Sequence, residues 1–144
     1  VLQYPHFTIF DSVSAQVDQG TVTLIGKVTM PYKKNDIQRR VSKLPSVGRL
    51  INKIEVLPVS QFDDDLRFRI ARAIYSNPNF RSFATMVNPP IHIIVEHGRV
   101  TLEGVVNSQV DRMLARSIAA NFLAFGVTND LKTEAEVQAA LEKL

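Results

Sequence analysis

Residues 17–28 read VDQGTVTLIGKV, and residues 95–106, which lie 78 positions later, read VEHGRVTLEGVV. Extending the comparison to 14 columns, 17–30 against 95–108, gives seven identities, and both glycines are among them. A repeat at this distance is longer than a solenoid unit, whose period is roughly 20–50 residues. The sequence therefore predicts a small domain that occurs twice in tandem.

Each copy has the pattern of a β-hairpin. A run rich in β-branched residues leads to a turn that contains Gly20 or Gly98, and an alternating run follows the turn. Tight hairpin turns need a positive φ, which glycine adopts without steric cost. Because side chains alternate along a strand, one face of the second strand is apolar. The residues on this face are Val22, Leu24, Gly26 and Val28 in the first copy, and Val100, Leu102, Gly104 and Val106 in the second.

The glycines on the apolar face, Gly26 and Gly104, are predicted to let a helix approach the sheet closely. A phosphate-binding glycine loop is the alternative interpretation of the glycine spacing. It is disfavoured because a hairpin does not direct a helix amino terminus at a ligand.

A helix and a third strand follow each hairpin. Pro31 suits a first helical position, and Ser108 with Asp111 suits an amino-terminal cap. Strands are predicted at 49–56 and 127–131, and a strand–helix–strand connection implies parallel pairing with a right-handed crossover. The predicted fold class is α+β, with a three-stranded mixed sheet packed on helices in each unit. Apolar residues at helical spacing support both helices: Ile37, Val41 and Leu44, and Ala115, Ile118, Ala119 and Phe122.

The second copy also carries a leading helix, which we predict over 63–76. Asp63–Asp65 are interpreted as its amino-terminal cap, and Pro78 ends it. In the first copy only Val1–Phe10 precede the first strand, and Pro5 interrupts them. We therefore expect this copy to lack most of its leading helix.

The predicted domains are 1–59 and 60–132, followed by an amphipathic helix at 133–144 that opens with a capping box from Thr133 to Glu136. A first domain without its leading helix would expose an apolar surface. Such a surface favours dimerisation or contact with the carboxyl-terminal helix.

The composition excludes several kinds of site. The 144 residues include no cysteine, which excludes disulfides, thiolate metal sites and cysteine nucleophiles. His6, His92 and His97 have no second ligand at metal spacing, and no nucleophile elbow is present. We therefore expect no enzymatic activity, cofactor or metal. No apolar run approaches the ~20 residues of a membrane span, and no signal peptide is visible.

Two surfaces are candidates for binding. On the leading helix, Phe68, Arg72 and Tyr75 share the face opposite the apolar stripe, and Arg67 and Arg69 flank them. This face is interpreted either as a packing contact with the first domain or a partner subunit, or as a lipid contact through rings and arginines. Nucleic acid and peptide are further alternatives, and nucleic acid is disfavoured because no recognised motif accompanies the charge.

The second candidate surface is basic and lies in the first domain. The net charge of the chain is +3, and residues 1–61 hold eight basic and four acidic residues. This excess favours an anionic partner, and the alternative is an ordinary solvated face. The residues of this basic surface are Lys33, Lys34, Arg39, Arg40 and Lys43.

The repeated unit resembles the BON domain of bacterial envelope and osmotic-stress proteins. The resemblance covers about 13–56 and 63–131, and it departs from the family pattern in the missing leading helix and at 125–127. G-x-V-T-L-x-G in the second strand and V-x-N-x-[IL] in the third carry it. The matching residues are Gly20, Val22, Thr23, Leu24, Gly26, Leu50, Asn52 and Ile54, and then Gly98, Val100, Thr101, Leu102, Gly104, Val127, Asn129 and Leu131.

This resemblance implies a non-enzymatic periplasmic or secreted module, linked to stress response, that binds anionic phospholipid surfaces or envelope proteins. The alternative is a purely structural pair of assembly domains that dimerises and does not bind lipid. A shared fold does not by itself transfer function.

Overall fold

Each half of the chain folds around its own three-stranded sheet, as the repeat predicts. The computed structural model describes residues 3–144, and its contacts divide the chain into unit 1, Val1–Val59, and unit 2, Ser60–Leu144. Residues 1 and 2, which belong to the predicted remnant of a leading helix, lie outside the described residues. The predicted α+β class with two mixed sheets is confirmed.

Unit 1 contains β1 (Ser12–Asp18), β2 (Thr21–Val28), α1 (Pro31–Ser42) and β3 (Arg49–Val56). The central strand β2 is antiparallel to β1 and parallel to β3. Residues 3–11 contain no helix and form turns that place Tyr4 in the core. The other core residues come from the predicted apolar face of β2, from α1 and from β3: Val22, Leu24, Val28, Ile37 and Ile54.

Unit 2 repeats this order behind an added helix. Its elements are α2 (Gln61–Ser76), β4 (Ile91–Glu96), β5 (Arg99–Val106), α3 (Gln109–Ala119), β6 (Gly126–Thr133) and α4 (Glu134–Glu142). A short 3₁₀ turn lies between α2 and β4. The helix α2 packs against both β4 and α3, so its apolar stripe of Leu66, Ile70 and Ile74 is buried.

An asparagine in the third strand joins that strand to the helix in the same way in both units. Asn52 Nδ2 donates to the carbonyl oxygen of Lys34 at 3.2 Å, and Asn129 Nδ2 donates to that of Arg112 at 2.9 Å. Each side-chain oxygen also accepts a backbone N–H two residues later. This hydrogen bonding explains why an asparagine recurs at this position of the third strand.

The carboxyl-terminal helix α4 belongs to unit 2. Thr133 Oγ1 accepts the N–H of Glu136 at its start, as the capping pattern predicts. The helix contacts β5 and β6 and borders a groove of ≈ 500 Å³ lined partly by Val105. Because Val105 alternates with the core residues Leu102 and Val106, α4 lies on the opposite face of the sheet from α2 and α3.

The prediction that Gly26 and Gly104 admit a helix is wrong. Both residues have positive φ, 148° and 126°. A Cβ on Gly26 would collide with the backbone oxygen of Ser12, and one on Gly104 with that of Pro90. The neighbouring strand therefore causes the close approach, since Gly26 pairs with Val13 near the start of β1 and Gly104 pairs with Ile91 at the start of β4.

Candidate functional site

Three polar side chains fasten α2 to β4. The carboxylate of Asp63 accepts the N–H groups of His97 and Gly98 in the β4–β5 turn, at 2.9 and 2.8 Å. Arg67 Nη2 donates to the carbonyl oxygen of Val95 at 2.6 Å. Tyr75 Oη accepts the N–H of Ile91 at 3.0 Å and donates to its carbonyl oxygen at 2.5 Å. The helix therefore binds backbone groups along the whole strand.

These contacts correct two sequence predictions. Arg67 is buried and Tyr75 faces β4, so the structure does not place them on the exposed face with Phe68 and Arg72. Burial raises the pKa of Tyr75 above its ordinary value, although the Ile91 N–H acts in the opposite direction. The amino-terminal cap of α2 is Ser60 and not Asp63–Asp65 as predicted, because Ser60 Oγ accepts the Asp63 N–H. The Asp63 carboxylate binds the β4–β5 turn instead.

The remaining residues of the predicted α2 surface are exposed. Phe68, Arg69 and Arg72 all lie on the solvent side of the helix. Arg69 Nε forms an ion pair with Asp65 at 2.9 Å, and both side chains are more than half exposed. Exposed pairs contribute only about 0–1 kcal/mol, so Arg69 can exchange this partner for another anion at low cost.

An apolar surface beside these arginines was not predicted from the sequence. It consists of Phe62, Phe122, Leu123 and Phe125, which we call the aromatic patch. Leu123 is 89% exposed and Phe125 is 75% exposed. Phe125 and Phe62 both lie over Gly98, and a small groove of ≈ 80 Å³ joins Phe62 and Leu123 to Arg69.

The aromatic patch arises from the loop between α3 and β6. In unit 1 the N–H of Gly48 donates to the Gly20 carbonyl oxygen, and in unit 2 the N–H of Phe125 donates to that of Gly98. Phe125 therefore occupies the position of Gly48. The departure from the family pattern at 125–127 was the available sequence signal, but the sequence did not show that Phe62 lies beside it.

The residues of the predicted basic surface of unit 1 do not form one exposed surface. Lys33 is buried, and its Nζ lies 2.8 Å from Asp11 Oδ2 and 2.7 Å from Thr29 Oγ1. Asp11 is also fully buried and accepts the N–H groups of Thr8 and Thr29. Lys33 is therefore a structural residue that holds the amino-terminal turns against α1.

The other residues of this basic surface differ in their environment. Arg39 pairs with Asp36, and the Arg40 guanidinium lies 5.2 Å from the centre of the Tyr4 ring. Lys34 is half-buried and Lys43 is exposed. Burial, followed by the hydrogen bond to Asp36, raises the pKa of Tyr4 to about 12. The bond from Tyr4 in turn lowers the pKa of Asp36.

Two further features concern metal binding and membrane spans in residues 3–144. In that part of the chain, no group of three or more histidine, aspartate or glutamate side chains is placed to hold a metal ion. None of the described helices is long and apolar enough to cross a membrane.

Comparison with solved structures matches this chain to chains of CdsD, a structural protein of the type III secretion system of Chlamydia trachomatis. Its C-terminal domain is 13% identical with a TM-score of 0.38, covering 84% of this chain and 56% of that chain. A second CdsD structure is 12% identical with a TM-score of 0.29, and the match covers 95% of this chain and 93% of that chain. The chain thus spans little more than half of the first of these.

Sequence comparison identifies the family. No curated protein matches the chain significantly. The BON domain family matches residues 7–58 and 62–135, one segment in each unit and together most of the sequence. The chain therefore belongs to the BON domain family and carries two BON domains in tandem.

Proposed function

We propose that this chain is a non-catalytic binding module of the cell envelope whose second unit attaches to anionic phospholipid surfaces. BON domains occur in periplasmic and envelope proteins. The observation that carries the lipid proposal is the exposure of Leu123 and Phe125 beside Phe62, next to a groove that Arg69 lines together with Asp65. Large apolar side chains surrounded by cations are the features with which peripheral proteins enter the membrane interface.

Three exposed arginines of unit 2 supply the electrostatic component. Arg69 lines the groove with Leu123, Arg72 lies on the same exposed side of α2, and Arg99 is exposed immediately after the turn. Each cation near an anionic surface contributes about 1 kcal/mol. Burial of Leu123 and Phe125 adds about 1.5–3 kcal/mol for each side chain. Attachment therefore needs both anionic lipid and the two apolar side chains.

Vesicle co-sedimentation tests this proposal. The full chain is mixed with vesicles of phosphatidylcholine alone or with 30% phosphatidylglycerol (about one lipid in three), at low and high salt. We expect binding only with the anionic lipid, weaker at high salt because ions screen the arginines. The double variant Leu123→Ser with Phe125→Ser should bind at least tenfold more weakly and remain folded.

A matched control uses an exposed apolar residue at the other end of β4. Val87 is 96% exposed and lies before β4, whereas the aromatic patch lies at the turn after it. The variant Val87→Ser should bind vesicles like the parent. Equal binding by the parent and the Leu123/Phe125 variant, or no binding by either, would refute the lipid proposal.

Protein assembly is the second candidate function, and one separate observation favours it. The first strand of unit 1 is exposed, and exposed edge strands readily pair with other chains. Sedimentation velocity distinguishes the two functions. A concentration-dependent dimer that does not bind vesicles would favour assembly over lipid attachment.

A further inference from the structure

The glycine of the β4–β5 turn is buried, whereas the equivalent glycine of the β1–β2 turn is half-buried. These residues are Gly98 and Gly20. The two turns have nearly the same backbone conformation, since His97 and Gly98 have φ of 52° and 76°, and Gln19 and Gly20 have 48° and 80°. The difference in burial therefore comes from the side chains that lie on each turn.

Two rings of the aromatic patch cover Gly98. A Cβ at this position would lie 2.5 Å from Phe125 Cδ2 and 3.3 Å from Phe62 Cε1. A Cβ on Gly20 would meet no atom within 4 Å. Carbon atoms pack best at about 3.5–4.0 Å, so any side chain at position 98 would displace the Phe125 ring.

The turn also fixes the backbone around these rings. The Phe125 N–H donates to the Gly98 carbonyl oxygen at 2.9 Å. The Gly98 N–H donates to the carboxylate of Asp63 at 2.8 Å, and Asp63 directly follows Phe62 in α2. Gly98 therefore contacts Phe125 through both its backbone and its ring.

Unit 1 has the same turn without a ring. The loops that reach the two turns are residues 43–48 and 120–125, so they have equal length. Gly48 donates its N–H to the Gly20 carbonyl oxygen at 2.8 Å and occupies the position of Phe125. The glycine turn is thus common to both units, and the ring that lies on it is specific to unit 2.

We propose that Gly98 is a positioning residue for the membrane contact: because it has no side chain, one edge of the Phe125 ring lies against the turn and the rest of the ring faces outward. Phe125 is accordingly 75% exposed. A ring that is held before binding loses less conformational freedom when it enters the membrane interface. Gly98 acts through Phe125, and this role rests on the lipid attachment proposed above.

Matched glycine variants test the proposal with the same phosphatidylglycerol vesicles and the full chain. Gly98→Ala and Gly20→Ala share the strain of a positive φ, and Gly98→Asn reduces that strain but still adds a Cβ. Both Gly98 variants should bind vesicles about three- to tenfold more weakly, because the displaced ring buries less apolar surface in the interface. Gly20→Ala should bind like the parent.

A double-mutant cycle shows whether Gly98 acts through the ring. In the background Phe125→Ala, the added change Gly98→Ala should cause no further loss of vesicle binding. A general distortion of unit 2 would instead weaken binding equally in both backgrounds. The cycle is measured at low salt, where the arginines and Leu123 retain measurable binding.

NMR tests the position of the ring without lipid. An aromatic ring shifts the signals of protons that lie against it. The Gly98 Hα signals should therefore move in the variant Phe125→Ala, and the Gly20 Hα signals should not. Because Phe125 is exposed, this variant is expected to fold.

Three results would overturn the positioning role: parent-like binding by both Gly98 variants, an equal loss in Gly20→Ala, or a further loss in the Phe125→Ala background. Unmoved Gly98 Hα signals in Phe125→Ala would show that the ring does not lie on the turn. If the parent binds no vesicles, lipid attachment fails and the role of Gly98 in attachment fails with it. The NMR comparison then still decides whether Gly98 holds the ring.

Discussion

In unit 2 the first strand of the sheet lies under a helix, whereas in unit 1 the equivalent strand is exposed from Ser14 to Asp18. Val95 is fully buried and Val17 is 71% exposed, although both residues occupy the same position in the repeated hairpin. In unit 1, the turns before β1 contribute Tyr4 to the hydrophobic core instead. The comparison shows that one hairpin sequence supports either a closed domain or an open one.

The largest expected effect concerns the ion pair that stabilises the open unit. Lys33→Met should destabilise unit 1 by about 3–5 kcal/mol, because Asp11 would remain buried without its cation. Unit 2 has Asp111 at the position of Lys33 and does not depend on this pair. Hydrogen exchange at the amides of Leu24 and Leu102 reports each unit separately. Equal loss of protection in both units would show that their stabilities are not independent.

The next prediction compares the same substitution at matched positions. Val95→Ala should cost unit 2 about 1.5–3 kcal/mol through lost burial and the cavity that remains. Val17→Ala should change the stability of unit 1 by less than about 0.5 kcal/mol, as is usual for exposed positions. Urea unfolding of the two variants measures both effects. A large loss in Val17→Ala would mean that something covers β1.

The two units should respond alike at the glycines that pair with the first strand. Gly26→Ala and Gly104→Ala should each destabilise their unit by about 1–3 kcal/mol, because a Cβ would collide with strand backbone at a positive φ. Thermal unfolding of each variant provides the measurement. A melting temperature equal to that of the parent in either variant would contradict this account of the close approach.

The smallest expected effect is a pH dependence of unit 1. Unfolded Tyr4 loses its proton near its ordinary pKa of 10.0, while in the folded unit the pKa is about 12. The resulting stabilisation is complete below pH 10 and is lost as the pH rises through about 12. As the pH rises from about 9 to about 11, the Leu24 amide should lose protection against hydrogen exchange. This loss should be smaller in the variant Tyr4→Phe than in the parent. An identical pH profile in this variant would remove Tyr4 as its cause.

Much of the fold follows from local sequence patterns. The hairpins, the cap at Ser108 and the start of α1 at Pro31 each depend on residues close in sequence. Alternation and turn chemistry act over a few residues, so a single sequence is enough to predict them.

The surfaces were harder to predict because they depend on distant residues. Helical spacing placed Phe68 and Arg72 on the solvent side, but it did not show that Arg67 and Tyr75 reach the backbone of β4. The burial of Lys33 depends on Asp11, 22 residues earlier. The aromatic patch needs Phe62 and Phe125, which only the folded unit brings together over Gly98.

The contrast between β1 and β4 can be measured directly because the chain has no cysteine. Single variants Val17→Cys and Val95→Cys retain an apolar side chain of similar size and are expected to fold. Their reaction rates with a thiol reagent in the native state are compared with that of an unstructured peptide. The Val17→Cys variant should react at a rate within about tenfold of the rate of the peptide. The Val95→Cys variant should react at least about a thousandfold more slowly than the peptide, since reaction there requires unit 2 to open. Strong protection at both positions, or at neither, would contradict the account.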